Sequence, residues 1–423
     1  MPANQNIGAG QGVHTPLLRG QARSGASSGR AFVLLAKAFI GSGMLFLPRA
    51  FSNGGLLFST LTLLLVAAAS LHTMQQLRAG GRWLRRAVDA SIFASQLGFA
   101  CAGSVFVAAT LRDAFNATTA CRWHARLPLG LWITGQTALL APLCLVRHIR
   151  GFSRVALLAD SAILLGLAFI LATSARSLSL RGPGPHVILT LNTSAFSLFL
   201  GSAAYTFEGY ALILPICSAM RRPQAFPRLL ALVMVLCAAV AVATGGLCYL
   251  AFGSATAPIA LLNMPAYSPW TQTVRALYAL AIIGTTPLML FPAYRLIEQP
   301  RSSGGSSEQN CTPEFKTAKN ALRLAVLGAV MLAAHVGARR LDRLVAVVGG
   351  AACVPLAFVY PPLIHLRLGG REARGWWRRA RDVAVAGAGV LLSAYVTAGA
   401  VGRWGVAETP YDFCLAEGVP PKP

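Results

Sequence analysis

Long apolar runs, each of about 20 residues, recur along nearly the whole chain and are separated by shorter polar segments. As a helix, one such run spans the ~30 Å hydrocarbon core of a bilayer. Charged residues are rare within the runs and gather between them, which is typical of a multi-pass membrane protein. The pattern predicts eleven spans, near 31–52, 54–75, 91–114, 128–146, 155–174, 194–217, 229–252, 272–294, 321–338, 344–366 and 383–401.

The composition supports this interpretation, with 55% hydrophobic and 12% charged residues among 423. The net charge of +24 does not indicate nucleic-acid binding, because roughly twice as many Lys and Arg lie in one set of alternating connections as in the other. The positive-inside rule then predicts a cytosolic N-terminus and an outer or luminal tail over 402–423. Residues 1–30 are polar, without a signal-peptide pattern, and predict a disordered cytosolic tail. Arginines at span ends, Arg275 among them, are expected to extend to the membrane interface.

Two of the predicted spans are interrupted near their centres. The first contains Gly-Ser-Gly at 41–43, with Lys37 one turn earlier, and the sixth contains GSAAYTFEG at 201–209. Freed backbone groups and charges are costly in hydrocarbon, so a helix that only faces lipid has no use for either. Interrupted helices are typical of transporters that bind their substrate near the middle of the membrane.

The two interruptions hold corresponding positions in two groups of five spans, 31–174 and 194–366. Because five is odd, the groups enter the membrane from opposite sides, which predicts an inverted repeat. Residues 371–401 follow as a basic linker and an eleventh helix. The linker carries Trp376 and Trp377 among arginines, a composition typical of an anchor at an anionic lipid surface.

The interrupted spans suggest a substrate. Unwound glycine-containing backbone and half-helix N-termini suit a carboxylate, whereas carbonyl and hydroxyl oxygens suit an ammonium group. A zwitterionic amino acid presents both charges, so two adjacent breaks fit it well. The alternative is that Gly-x-Gly only permits close helix packing. The residues predicted to contact substrate are Gly41, Ser42, Gly43, Ser202, Tyr205, Thr206, Phe207 and Gly209.

Several polar residues within the spans are candidates for ion coupling. Glu208 lies near the middle of the membrane, where a carboxyl group can take up and release a proton. Lys37 is a candidate charge partner for it, and Asp160 is an alternative partner for Lys37. Either acidic residue could instead hold helices together as a fixed pair. Thr285 and Thr286 on the eighth span, together with carbonyls of the first break, form an alternative ion site.

Signals for other chemistry are weak. There is no Gly-Lys-Ser/Thr phosphate loop and no HExxH motif, and the nine cysteines show no metal-binding spacing. We therefore expect neither an enzyme nor a bound cofactor or metal. Cys121 and Cys414 both fall on the predicted outer side, where a disulfide and two free thiols are equally open. Asn116 begins the outer glycosylation sequon Asn-Ala-Thr.

Five separated blocks resemble the amino acid/auxin permease family, most closely its vacuolar amino acid transporters and lysosomal proton-coupled amino acid transporters. The blocks are KAFIGSGMLFLPRAF (37–51), FLGSAAYTFEGYALILP (199–215), YLAFGSATAPIALLNMP (249–265), TTPLMLFPAYRLIE (285–298) and LDRLVAVVGGAACVPLAFVYPPLIHL (341–366).

The resemblance implies an all-α, LeuT-like fold of eleven helices, with discontinuous helices 1 and 6 in a five-plus-five inverted repeat. It also implies amino acid transport, commonly driven by protons, with residues 41–43 at the substrate backbone and 205–209 as the facing wall. The chain departs from the family at 216–220, ICSAM, where an acidic residue is usual.

The sequence thus predicts a secondary active transporter of small neutral amino acids that is coupled to protons. A sodium-coupled carrier of the same fold is the alternative, and an amino acid sensor is a weaker one because the N-terminal tail is short. We expect the amino acid, the coupling ion and membrane lipid as partners, and no nucleic acid. We expect the vacuolar or lysosomal membrane rather than the plasma membrane.

Overall fold

The computed structural model describes residues 27–75, 82–122, 127–146, 152–210, 213, 216–217, 220–298, 313–368, 376–405 and 414. Within these ranges the regular elements are helices, and there is no β-strand. The helices are α1 (Ser28–Phe39), α2 (Leu47–Gly54), α3 (Leu56–Gln75), α4 (Arg82–Thr118), α5 (Leu129–Leu145), α6 (Phe152–Arg181), α7 (Phe196–Thr206), α8 (Phe226–Phe252), α9 (Pro269–Glu298), α10 (Pro313–Gly337), α11 (Leu341–Val348), α12 (Tyr360–Leu368) and α13 (Trp376–Gly402).

Eight helical stretches among the described residues are long and apolar enough to cross a membrane. They are Leu56–Met74, Arg86–Thr118, Leu157–Arg181, Pro223–Ala255, Pro269–Glu298, Thr317–Gly337, Leu341–Arg367 and Trp376–Gly402. Helix α5 is a shorter apolar helix, and the first and sixth predicted spans are each divided into shorter pieces. The all-α, multi-pass prediction is confirmed, whereas the total of eleven spans stays a prediction.

The buried apolar side chains form two large clusters. One cluster joins α1, α2, α3, α7 and α8, together with the π-helical turns that precede α12. The other joins α4, α5, α6, α9 and α10. The short 3₁₀ turn Ser42–Phe46 is shared between them, because Met44 packs in the first cluster while Leu45 and Phe46 pack in the second. The first predicted break therefore lies at the boundary between two helix groups.

Glycines allow α7 to lie directly against the helical stretch that begins at α11. A Cβ atom on Gly349 would lie 1.9 Å from the carbonyl oxygen of Gly201, and one on Gly201 would lie 2.6 Å from Cα of Ala346. Gly201 and Ser202 are inside the continuous helix α7, so the sequence Gly201-Ser202 permits close packing here and does not interrupt the helix. Beyond Gly349 the stretch widens into π-helical turns, Gly349–Cys353 and Pro355–Val359.

Two features of the predicted outer side bear on expectations from the sequence. Arg275 is fully buried and interacts with other protein groups, so it does not extend to the membrane interface as we expected. Cys121 and Cys414 form a disulfide, with Cα atoms 5.9 Å apart, which settles the alternative left open by the sequence. Cys414 is buried beside Ala117 and Ala266, so the bond holds this residue next to the end of α4.

Candidate functional site

The first break follows α1. The helix ends at Phe39, and the N–H of Ile40 makes a last bond of 2.7 Å to the carbonyl of Ala36. Gly41 is then fully extended, with φ −134° and ψ −162°, before the 3₁₀ turn leads into α2. An N-terminal helical turn leaves its first N–H groups without partners inside the turn, which suits an anionic group. The Ser42 side chain lies outside the described structure, so its predicted contact stays a prediction.

The second break follows α7. The helix ends at Thr206, and Phe207 caps it with an N–H bond of 3.3 Å to the carbonyl of Ala203. Glu208 and Gly209 are not helical, and helical geometry returns at Tyr210. The interruption predicted in the sixth span is therefore present, and it includes residues 207–209.

The two breaks contact each other. A Cβ atom on Gly43 would lie 3.3 Å from Cα of Thr206 and 3.4 Å from Cδ1 of Tyr205. A Cβ atom on Gly209 would lie 2.6 Å from Cε1 of Phe39. Each glycine thus belongs to one break and packs against the helix that forms the other. This is the paired arrangement that the sequence predicted.

Two hydroxyl groups lie on α7 before the second break, and that of Thr206 reaches the contact with Gly43. Ser202 donates to the carbonyl of Leu198 at 3.0 Å, and Thr206 donates to the carbonyl of Ser202 at 2.8 Å. Because each proton is directed to the helix backbone, the hydroxyl oxygens keep lone pairs that can accept from an ammonium group. Both side chains are buried.

Aromatic rings close one side of the region. The Tyr205 ring packs edge-to-face on Phe99 of α4, with centroids 4.5 Å apart, and on Phe46 at 6.0 Å. Phe46 also meets Phe106 of α4 at 6.4 Å. Tyr205 is thus packed between Phe99 and Phe46, and its role as a wall of the substrate site stays a prediction. The α4 partners Phe99 and Phe106 were missed, since nothing in the sequence separates them from other buried apolar residues.

Glu208 is a buried acidic residue directly in the second break. Its side chain is 8% exposed, and Oε1 has no hydrogen-bond partner among the described residues. It interacts electrostatically with Tyr210 and with Cys353 of the π-helical turns. The Lys37 side chain lies outside the described structure, so its pairing with Glu208 or with the half-buried Asp160 stays a prediction.

The chain matches the family described as transmembrane amino acid transporter protein over residues 24–79 and 76–401. It belongs to this family. It is 37% identical over 397 residues to vacuolar amino acid transporter 3 of Saccharomyces cerevisiae, covering 90% of this chain and 57% of the relative. It is 36% identical over 393 residues to vacuolar amino acid transporter 3 of Schizosaccharomyces pombe, covering 89% and 58%. The chain therefore spans a little over half the length of these two relatives.

One plant relative is similar to this chain along nearly the full length of both proteins. Amino acid transporter AVT3B of Arabidopsis thaliana is 29% identical over 416 residues, which cover 92% of this chain and 95% of the relative. Among solved structures, MhsT in complex with L-phenylalanine superposes with a TM-score of 0.54 at 11% identity, over 88% of this chain and 98% of MhsT. At that identity the likeness shows the fold alone, and it confirms the LeuT-like fold of this family member.

The alternative candidate ion site on α9 contains the buried hydroxyls of Thr285 and Thr286. Thr285 donates to the carbonyl of Ala281 at 2.8 Å, and Thr286 donates to that of Ile282 at 2.7 Å. Both oxygens keep lone pairs for a cation, but these bonds run along α9 itself and do not join it to the first break. The sodium site therefore stays a prediction.

The glycosylation sequon lies where access is poor. Helix α4 continues to Thr118, beyond the predicted span end, and Asn116 is 1% exposed in its last turn. A glycosylating enzyme needs an accessible amide, so the folded protein presents Asn116 unfavourably. Its modification stays an untested prediction.

Proposed function

We propose that this protein is a secondary active transporter that moves small neutral amino acids across a vacuolar or lysosomal membrane and is driven by a proton gradient. The observation that carries the proposal is the direct contact between the two helix breaks, Gly43 against Thr206 and Gly209 against Phe39. The contact brings an N-terminal turn, suited to a carboxylate, next to hydroxyl oxygens suited to an ammonium group.

The preference for a small side chain is supported by the aromatic wall. Tyr205, Phe99 and Phe46 pack edge-to-face beside the first break, and all three are largely enclosed by other groups. Rings held by packing on several sides do not move without cost, since interiors are densely packed. A substrate with a short apolar side chain therefore needs the least rearrangement.

Proton coupling is assigned to Glu208. A charged carboxylate with a buried oxygen that lacks a hydrogen-bond partner, as Oε1 of Glu208 does among the described residues, is costly, and protonation relieves that cost. The residue is part of the second break, so its protonation state and the conformation of the break can influence each other. The same rearrangement would involve the two helix clusters, with α1, α2, α3, α7 and α8 moving relative to the cluster built on α4 and α9.

The membrane assignment is supported by the relatives named as vacuolar amino acid transporters in two yeasts. The positive-inside bias of the connecting segments supports a cytosolic N-terminus. The disulfide between Cys121 and Cys414 then lies on the luminal side.

The proposal is tested by uptake of radiolabelled amino acids into proteoliposomes under an imposed proton or sodium gradient. We expect accumulation of small neutral amino acids with the proton gradient alone, and loss of that dependence in Glu208→Gln. Thr285→Val serves as the matched test of the sodium alternative. Accumulation that requires sodium and is abolished by Thr285→Val would contradict the proton proposal, and absence of uptake under both gradients would contradict transport.

A further inference from the structure

The start of α13 extends beyond the hydrocarbon core of the membrane. Its candidate span, Trp376–Gly402, has 27 residues and is about 40 Å long at the rise of an α-helix. The hydrocarbon core is only ~30 Å thick, and the sequence predicts that residues 383–401 cross it. The first two turns of α13 therefore lie in the layer of lipid headgroups, on the side predicted to be cytosolic.

Basic side chains cover these first turns. Arg378, Arg379 and Arg381 are exposed on α13, and the side chain of Arg381 is 48% exposed. Arg367 is exposed at the end of α12, the helix that packs beside α13. We call these four arginines the basic patch. Two adjacent helices thus present positive charge at the level of the lipid phosphates.

A buried carboxylate connects the two helices under the patch. The Asp382 side chain is 2% exposed, and its Oδ1 lies 3.5 Å from Nη2 of Arg381 while its Oδ2 lies 2.5 Å from Nδ1 of His365 on α12. Arg378 and Arg379 precede Asp382 by one turn and so lie on the same side of α13. Asp382 is the only acidic residue of α12 and α13, so the basic patch keeps an excess of positive charge.

Two tryptophans border the basic patch. Trp376 and Trp377 are 66% and 72% exposed, and their ring centroids lie 4.3 Å apart. An indole ring has an apolar body and one N–H donor, which suits the boundary between lipid tails and headgroups. The rings therefore offer apolar contact for the glycerol region of a lipid whose phosphate meets the arginines.

We propose that the basic patch and the two tryptophans bind the headgroup of an anionic phospholipid. A guanidinium group matches the geometry of a phosphate with two parallel hydrogen bonds, and the negative headgroup complements the excess positive charge of the patch. The partner is a membrane lipid and not a soluble anion, because the surface lies in the headgroup layer. This surface is separate from the two helix breaks, so the inference does not depend on the proposed function.

A bound headgroup would stabilise the packing of α13 on the π-helical turns. Oγ of Ser393 donates to the carbonyl of Gly350 at 2.8 Å, and a Cβ atom on Gly389 would lie 2.9 Å from Cβ of Phe358. This packing and the patch exist together only in the folded protein. A ligand that binds only the folded state raises its melting temperature, so we expect anionic phospholipid to do so.

The competing explanation is general attraction between cytosolic arginines and an anionic membrane surface. In that case every exposed arginine of the same side contributes alike. Arg221 and Arg222 allow the two explanations to be separated, because both are exposed in the connection between α7 and α8 on the same predicted side. They match Arg378 and Arg379 in charge, in exposure and in being adjacent along the chain.

The test is binding of fluorescent phosphatidylserine to the full-length protein in neutral detergent, with phosphatidylcholine as the neutral lipid. We expect saturable binding of phosphatidylserine, and an affinity about thirtyfold lower in Arg378→Gln/Arg379→Gln, because each arginine near anionic lipid contributes a factor of about five. Arg221→Gln/Arg222→Gln removes the same charge and should bind like the wild type. Phosphatidylserine should raise the melting temperature of the wild type and of this control, but not of Arg378→Gln/Arg379→Gln.

Equal losses of affinity in the two double variants would overturn the specific site and favour general attraction. Equal binding of phosphatidylserine and phosphatidylcholine would also overturn it, as would unchanged binding in Arg378→Gln/Arg379→Gln. Inorganic phosphate should not displace the lipid at constant ionic strength, and displacement would assign the patch to a soluble anion instead. If the double variant is not recovered, Arg379→Gln alone carries the test with an expected loss of about fivefold.

Discussion

Gly209→Ala tests the contact between the two breaks. The added methyl group would lie 2.6 Å from Cε1 and 2.9 Å from Cζ of the Phe39 ring, roughly 1 Å inside a normal carbon–carbon contact. The ring is buried in the first apolar cluster and cannot withdraw freely. Overpacking of this kind costs about 1–3 kcal/mol. We expect a lower melting temperature and slower amino acid uptake than in the wild type.

The rescue variant makes this prediction specific. Phe39→Leu removes the part of the ring that the new methyl group meets, so Gly209→Ala/Phe39→Leu should recover stability and uptake relative to Gly209→Ala alone. Thermal melting of the purified protein and uptake into proteoliposomes measure the two effects. If Gly209→Ala melts and transports like the wild type, or if Phe39→Leu adds its own loss without rescue, the two breaks do not pack as described.

Three further predictions concern the framework around the site. Gly349→Ala should prevent recovery of folded protein in size-exclusion chromatography, because the methyl group would meet the Gly201 backbone at 1.9 Å, whereas Gly387→Ala, with nothing within 4 Å, should behave as wild type. Glu298→Gln should lower the melting temperature, because Arg323 donates to both carboxylate oxygens of Glu298 at 2.6 and 3.2 Å. If the pair behaves as fully buried, the free energy of unfolding should fall by about 3–5 kcal/mol. An unchanged melting temperature would show that the pair is dispensable. Removing the disulfide by Cys121→Ser, by Cys414→Ser or by both changes should give the same lower melting temperature, with a fall of about 2–5 kcal/mol in the free energy of unfolding. Unequal effects of these variants would show that the two thiols act separately.

The helices and the breaks were predictable because their signals are local. Apolar runs of membrane length predict helices whatever they pack against. The first break carries its own signals, glycines at 41 and 43 and a proline at 48, and the structure has extended backbone at Gly41. The second break was also found, but its extent was overestimated. Gly201 belongs to a continuous helix and is needed for the contact with Gly349, a partner that sequence spacing does not reveal.

The tertiary surroundings of the site were less predictable. The packing of Phe99 on Tyr205 and the burial of Arg275 depend on how α4 and α9 meet other helices. Hydropathy gives the depth of a residue in the membrane but not the face of the helix on which it lies. The same limit applies to Asn116, whose sequon is visible in the sequence while its burial is not.

The central claim is that an amino acid binds where the two breaks meet, and direct binding of a radiolabelled small neutral amino acid to purified protein tests it most directly. Gly43→Val places a branched side chain against Tyr205 and Thr206, whereas Gly328→Val on α10 is a matched control whose Cβ would meet nothing within 4 Å. We predict saturable binding to the wild type and to Gly328→Val, and a loss of affinity of about tenfold or more in Gly43→Val. Equal affinity in all three proteins would contradict the claim.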